Sequence, residues 1–444
     1  MTASSFLIPA AGLITAPILA RALDVDGRGE MAAALAPSVL MLAVATLGLP
    51  DALTYYIAKR PGITRPAVLW AFLLTATLGS LCLLAVYYTR PFLSSGDEGL
   101  GELILLATAL TVPALLVGVL RGAATGRQMW FAVATERLIN SSLRVLTFGA
   151  LWLLGELTVF VAVLVSALIP LITGLAYWRL FLPVASPSGD SSSPIPLRNI
   201  VSFGSRAWLG SVASMLLARL APLLMVPLST VEDLGLYTVA TTISDLPLVV
   251  ALAVQGALYG VDSRSTDARR LTATTRTTLL IGVLGCTLIG ITLPLWIGFL
   301  FGPEFAAATL PTVMLLVSAL ICIPGLMAAS AVAAWGRPGL RSLGLVVTLV
   351  ANAGSFVLLV PPFGVYGACW TSLISNVVLT SYMVSVACRL IKARPSDFLL
   401  PRPSDARVAV EEMGRLTRRL LPSRRRHDVR TTPTSKTAGR KRTE

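Results

Sequence analysis

Charge is what this sequence has least of. Only 13% of its 444 residues are Asp, Glu, Lys or Arg, about half the share usual in soluble domains. With 55% of residues hydrophobic, that deficit excludes a water-soluble chain. There is a single histidine, His427 near the carboxyl end, which excludes a histidine-ligated metal centre and a histidine-dependent triad. The five cysteines, Cys82, Cys286, Cys322, Cys369 and Cys388, lie far apart, each inside an apolar run. Such spacing suits neither a disulfide framework nor a zinc site, and small buried thiols are the simpler reading. No glycine-rich nucleotide loop, metal-ligand spacing or nucleophile motif is present. No catalytic residue, metal or cofactor is therefore expected, and the chain reads as something other than an enzyme.

Long apolar runs are what remains. A membrane-spanning helix needs about 20 apolar residues, and twelve stretches qualify: 5–22, 31–57, 67–88, 100–120, 130–152, 157–180, 200–229, 234–260, 277–301, 306–334, 340–361 and 364–390. The expected fold class is an all-α polytopic membrane protein of about 12 transmembrane helices. The loops on the side of the two termini hold thirteen Lys and Arg, against three on the other side. By the positive-inside rule both termini are cytoplasmic. The first run has no basic residue before it, so a short first helix is preferred to a cleaved signal peptide, whose basic n-region is missing.

The net charge of +14 does not point to nucleic acid, because its location is confined. From Arg389 onward there are sixteen basic and six acidic residues, so the tail alone supplies +10. An Arg-, Ser- and Pro-rich segment of this kind is expected to be disordered. It is suited to anionic membrane lipids and to recruiting a protein partner.

The run Ser186-Pro-Ser-Gly-Asp-Ser-Ser-Ser-Pro-Ile-Pro196 is a flexible linker that divides the spans into two sets of six. Gly29-Glu-Met has a counterpart in Gly235-Leu-Tyr 206 positions later, and Gly126-Arg127 in Gly336-Arg337 210 positions later. A duplicated six-helix unit follows, and an even number of spans makes the copies parallel. Expected boundaries are an amino-terminal lobe at 1–182, a linker at 183–199, a carboxyl-terminal lobe at 200–391 and a basic tail at 392–444.

Charged groups within the spans are the functional candidates, since one at mid-membrane costs roughly 2.5–3.5 kcal/mol on insertion scales. The fifth span carries Arg137, Asn140, Ser141, Arg144 and Thr147 at three- and four-residue spacing, which puts them on one face. That face lines a cavity or makes an internal salt bridge through Glu136. The seventh carries Arg206 and Arg219, and the eighth carries Asp245. Arg219 and Asp245 each lie thirteen residues from Glu232, so a hairpin brings them to similar depth. Arg206 meets an arriving anionic group or snorkels to the interface. Asp245 couples an ion or neutralises Arg219. Asp51, beside the break Gly48-Leu49-Pro50, is an ion site or a helix cap.

Several stretches together resemble one family. Pro17-Ile-Leu-Ala-Arg21-Ala-Leu and Gly27-Arg-Gly29-Glu are similar to its first helix and turn. Val201-Ser-Phe-Gly204, Trp208-Leu-Gly210, Gly235-Leu-Tyr237-Thr-Val-Ala240, Leu300-Phe-Gly302-Pro-Glu-Phe305 and Gly364-Val-Tyr-Gly367-Ala resemble the landmarks of its second half. The family is the polysaccharide-biosynthesis transporters, Wzx-type flippases of lipid-linked oligosaccharides, within the multidrug/oligosaccharidyl-lipid/polysaccharide exporters. The resemblance implies a two-lobed, MATE-like transporter in a bacterial plasma membrane, moving an undecaprenyl-diphosphate-linked oligosaccharide to the outer leaflet by alternating access. Arg219, Arg206, Arg144, Arg137 and Asn140 would then meet the diphosphate and glycan, with Asp245 and Asp51 available for ion coupling. The tail's protein partner would be a glycan polymerase or another polysaccharide-assembly protein. The alternative within the superfamily is a cation-coupled multidrug exporter, which favours acidic rather than basic cavity residues.

Overall fold

The structure, a computed structural model, describes residues 2–59, 64–181, 197–262 and 268–399. The expected linker lies almost wholly outside the described residues, as does the basic tail beyond residue 399. Within them the chain is helical: α1 (Thr2–Val44), α2 (Leu49–Lys59), α3 (Thr64–Leu93), α4 (Glu98–Gly126), α5 (Trp130–Leu154), α6 (Val159–Gly174), α7 (Leu197–Leu228), α8 (Val231–Asp262), α9 (Ala268–Phe301), α10 (Thr309–Ala334), α11 (Pro338–Ile391) and the short α12 (Ser396–Leu399).

Eight stretches are long and apolar enough to cross a membrane. Two of these, Ala11–Lys59 and Pro338–Ile391, each contain two spans, divided at single non-helical residues, Asp24 (φ 57°, ψ −169°) and Gly364 (φ 54°, ψ −129°). With α5 and α7 the described residues hold the twelve spans expected. The turn at Asp24 is tighter than the sequence suggested. Where a polar turn is expected over 21–30, the helix resumes directly after Asp24, so Arg28 lies on a helix rather than in a loop. Residues 121–126, which lie beyond the fourth expected span, form the last part of α4. The glycines there serve packing: a Cβ on Gly122 would strike the Pro50 backbone, and one on Gly126 would strike Ile57.

Helix starts follow local chemistry. Asp97 Oδ1 accepts from the Leu100 amide at 2.9 Å, Thr158 Oγ1 from Val161 at 3.4 Å, and Thr230 Oγ1 from Asp233 at 3.1 Å. Caps of this kind are each worth about 1 kcal/mol. From Ala268 the polar stretch between the eighth and ninth expected spans is continuous with α9. Arg276 donates to the Asp397 carbonyl at 3.0 Å, and Phe398 of α12 is buried against the second lobe.

The lobes meet where the repeat predicted equivalence. A Cβ on Gly29 of α1 would collide with the Val231 carbonyl, and one on Gly235 of α8 with the Val25 carbonyl. Each glycine lies four residues after the carbonyl that faces its partner, and both pairs differ by the same 206 positions. The crossing is therefore a pseudo-two-fold contact between copies of one element, close enough that only hydrogen fits at either glycine. Met31, Ala34, Met225, Val226, Leu234, Val239 and Ala240 close a continuous apolar core around it. Ser95, in the outer turn before α4, adds a bond to the Val226 carbonyl at 3.0 Å.

Alanine at Gly29 or Gly235 should therefore lower the thermal midpoint of the purified protein, by about 1–3 kcal/mol of overpacking. Gly12→Ala, whose Cβ meets nothing within 4 Å, should leave it unchanged or raise it slightly. Equal midpoints for all three variants would contradict this packing.

Candidate functional site

A cavity of about 850 Å³ lies below the Gly29–Gly235 crossing, lined by α1, α2, α4, α5 and α6 of the first lobe and by Arg219, Pro222 and Thr238 of the second. Five arginines face it, Arg28, Arg121, Arg137, Arg144 and Arg219, against two carboxylates, Asp51 and Glu136. One ion pair forms among the described residues. Arg121 Nη2 meets Glu136 Oε1 at 2.9 Å, with a second contact from Nε to Oε2 at 3.3 Å. Tyr177 donates its hydroxyl to Glu136 Oε2 at 3.3 Å. Glu136 is thus fully engaged, by an arginine of α4 and not by the arginines of its own helix.

The remaining guanidinium groups are poorly satisfied. Arg28 has one hydrogen bond, to the Met31 thioether at 3.7 Å, and a thioether is a weak acceptor. Arg144 lies over the Phe148 ring, 5.9 Å from its centroid. The Nε atoms of both are buried without a partner, and the two groups are close enough to repel each other. Arg137 and Arg219 make no ion pair with any described residue. Ser38 and Ser166, which line the same cavity, also hold buried hydroxyls without partners. An unpartnered buried polar group costs about 1–3 kcal/mol, more when charged. Four such groups around one void leave donors that an anionic ligand rich in acceptors could satisfy.

Placement of the sequence candidates is clear for all but one. Arg137, Asn140, Arg144, Arg219 and Asp51 line the one cavity. Asn140 also reaches Thr173 Oγ1 at 3.4 Å. Asp245 does not line it; Arg219 and Asp245 attract each other without forming an ion pair. The turn between α7 and α8 falls at 229–230, rather than at Glu232. That places Asp245 about five residues, or roughly 7 Å of helix rise, deeper than Arg219. Arg206 lies on α7, but its side chain is outside the described residues. Asp51 caps nothing: no described group hydrogen-bonds to it. Sequence reasoning missed Arg121 as well as Arg28. The signal for Arg28 was periodicity, since Arg28, Met31, Leu35, Ser38 and Leu42 recur at three- and four-residue steps on the cavity face.

The pattern of a family described as polysaccharide biosynthesis protein matches residues 1–265, more than half of the chain. The chain belongs to the polysaccharide biosynthesis protein family. No curated protein matches the sequence, but solved structures share its fold. One is an inward-facing multidrug resistance MATE transporter of the MOP superfamily, 17% identical over 87% of this chain and 96% of that one, with a TM-score of 0.63. Another is the lipid II flippase MurJ in an inward closed conformation, 10% identical over 94% and 92%, with a TM-score of 0.71. A third is a MOP superfamily transporter from Pyrococcus furiosus, 16% identical over 88% and 96%, with a TM-score of 0.56. This member of the polysaccharide biosynthesis protein family is a multi-pass membrane protein with a two-lobed, MATE-like fold.

The two kinds of arginine should respond oppositely to removal. Arg121→Ala strips the partner from Glu136, whose side chain is 2% exposed, and should destabilise the protein by about 3–5 kcal/mol. Arg144→Leu removes a cation with no counter-charge and should leave the thermal midpoint unchanged or higher. Comparable losses in both variants would contradict the assignment.

Proposed function

We propose that this protein is a transporter that moves a lipid-linked oligosaccharide, carried on undecaprenyl diphosphate, from the inner to the outer leaflet of a bacterial plasma membrane. The observation that carries the reading is the unneutralised set Arg28, Arg137, Arg144 and Arg219 around a cavity between the lobes. A lipid diphosphate brings negative charge into low dielectric, and guanidinium groups compensate it with charge-assisted, often bidentate bonds. Arg28, Arg144 and Arg219 lie toward the outer end, where the glycine crossing blocks exit. The described state is thus one that a headgroup enters from the cytoplasmic side, and separation of that crossing releases it outward. Arg206, toward the inner end of α7, is assigned the first encounter with the headgroup. With thirteen basic residues in the loops on the side of the termini, both termini are placed in the cytoplasm, where the tail can reach anionic lipid and polysaccharide-assembly proteins.

The fold also serves multidrug transport, to judge from the MATE neighbour's description. A cavity with five arginines and two carboxylates disfavours cationic drugs, so that alternative has the charge against it. Asp245 remains the residue assigned to ion coupling, next to Arg219.

Purified protein in vesicles, supplied with a fluorescent polyprenyl-diphosphate sugar, tests the proposal. Wild type should accelerate exchange of the lipid between leaflets. Arg219→Ala and Arg144→Ala should each reduce the rate at least tenfold, as expected when a bond to a charged group worth roughly 1.5–3 kcal/mol is lost. Full rates in both variants would remove the site assignment. A wild-type protein that leaves the lipid untouched yet expels a cationic dye would favour the multidrug reading.

A further inference from the structure

The cavity's other end has chemistry that a diphosphate does not use. Asp51 stands in the first turn of α2 and faces the cavity, with no hydrogen bond or ion pair to any described residue. Its position is firmly held. Thr54 Oγ1 donates to both the Pro50 and the Gly122 carbonyls, each at 2.9 Å, and Gly122 packs directly on the Pro50 backbone. Rigid packing of this kind presents a side chain to a ligand rather than leaving it to adapt.

The lining changes along the cavity in a definite order. Arg28 and Arg144 form the outer, cationic part, joined by Arg219. Ser38 follows Arg28 by ten residues on α1, about 15 Å of rise, and its buried hydroxyl, like that of Ser166, lacks a partner. Thr46, Asp51 and Thr54 line the cavity further along the chain, and α5 comes near Asp51 through α4: Gly122 packs on Pro50, and its neighbour Arg121 pairs with Glu136, next to Arg137. Arg137 lies two turns, about 10 Å, inward of Arg144. It forms no ion pair with Asp51, so a carboxylate acceptor and a guanidinium donor are both left open at this level. A diphosphate offers only acceptors and would be repelled by Asp51. A sugar offers hydroxyl donors to the carboxylate and acceptors to Arg137 and Asn140, and the glycan follows the diphosphate in the lipid-linked cargo.

We infer that Asp51 is a specificity-determining residue, which accepts hydrogen bonds from hydroxyl or amide N–H groups of the glycan carried beyond the diphosphate while Arg137 and Asn140 engage its oxygens. The inference rests on the proposed function, because it takes the diphosphate to sit at the cationic end. It divides the cavity into a headgroup part, indifferent to the glycan, and a glycan part that distinguishes a sugar-bearing lipid from a bare one.

Binding of two probes to the purified full-length protein separates these parts: polyprenyl diphosphate without sugar, and the same lipid carrying a short oligosaccharide. Wild type should bind the sugar-bearing lipid several-fold more tightly. Asp51→Asn should abolish most of that preference and leave binding of the bare lipid within about twofold of wild type. Arg144→Ala should weaken both probes by the same factor. An unchanged preference in Asp51→Asn overturns the inference, and so does an equal loss for both probes, which would mark Asp51 as a coupling or structural group. Failure of wild type to bind either lipid would instead sink the proposed function, and this inference with it.

Discussion

Positive charge held in the membrane without matching negative charge is the constraint on which the rest of this structure depends. The cavity contains one complete ion pair, Arg121 with Glu136, and beside it Arg28, Arg137, Arg144 and Arg219 without one. The first arrangement is how a membrane protein ordinarily satisfies buried charge. The second is destabilising unless a ligand completes it, because a guanidinium removed from water needs both counter-charge and acceptors. The surrounding helices are packed well enough to sustain it. Phe148, Met31 and Leu115 lie fully or almost fully buried beside the cavity, and α2 is clamped on α4 through Gly122 and Gly126.

Closure of the outer end belongs to the same physical account. The crossing of α1 and α8 at Gly29 and Gly235 brings backbone to backbone, and the reciprocal carbonyls of Val25 and Val231 make it symmetric. Such a contact is made entirely of main chain and small apolar groups. Its separation would break the apolar seal but no ion pair among the described residues. That composition suits the repeated opening that the proposed transport cycle requires. The Arg28 guanidinium begins one residue before Gly29, so the barrier and the cationic site share a turn of helix. Movement of either copy of the crossing element therefore alters the surroundings of the charge.

Much of this was readable from the chain, for identifiable reasons. Twelve spans emerged because apolar runs of about 20 residues have few other uses, and the α5 face emerged because polar residues at helical spacing are conspicuous in an apolar background. The offset linking Gly29 to Gly235 was visible as a weak repeat, and the structure gives it a meaning that sequence could not: the two residues touch opposite copies of the same segment. Arg28 was hidden because a polar run around Asp24 looks like a loop, whereas one residue of positive φ suffices to divide the spans. Arg121 was hidden because two glycines suggested a turn where they in fact allow α4 to lie against α2. The depth of Asp245 was misjudged by the few residues separating Glu232 from the true turn at 229–230.

The central claim is that the uncompensated arginines await a phosphorylated headgroup. Ligand that binds the folded state raises its apparent stability in proportion to occupancy, so the most direct measurement is the thermal midpoint of the purified protein titrated with inorganic pyrophosphate, with sodium chloride of equal ionic strength as control. The account predicts a saturable rise with pyrophosphate, little or none with chloride, and loss of the rise in Arg144→Leu. A midpoint that responds identically to the two salts would contradict it.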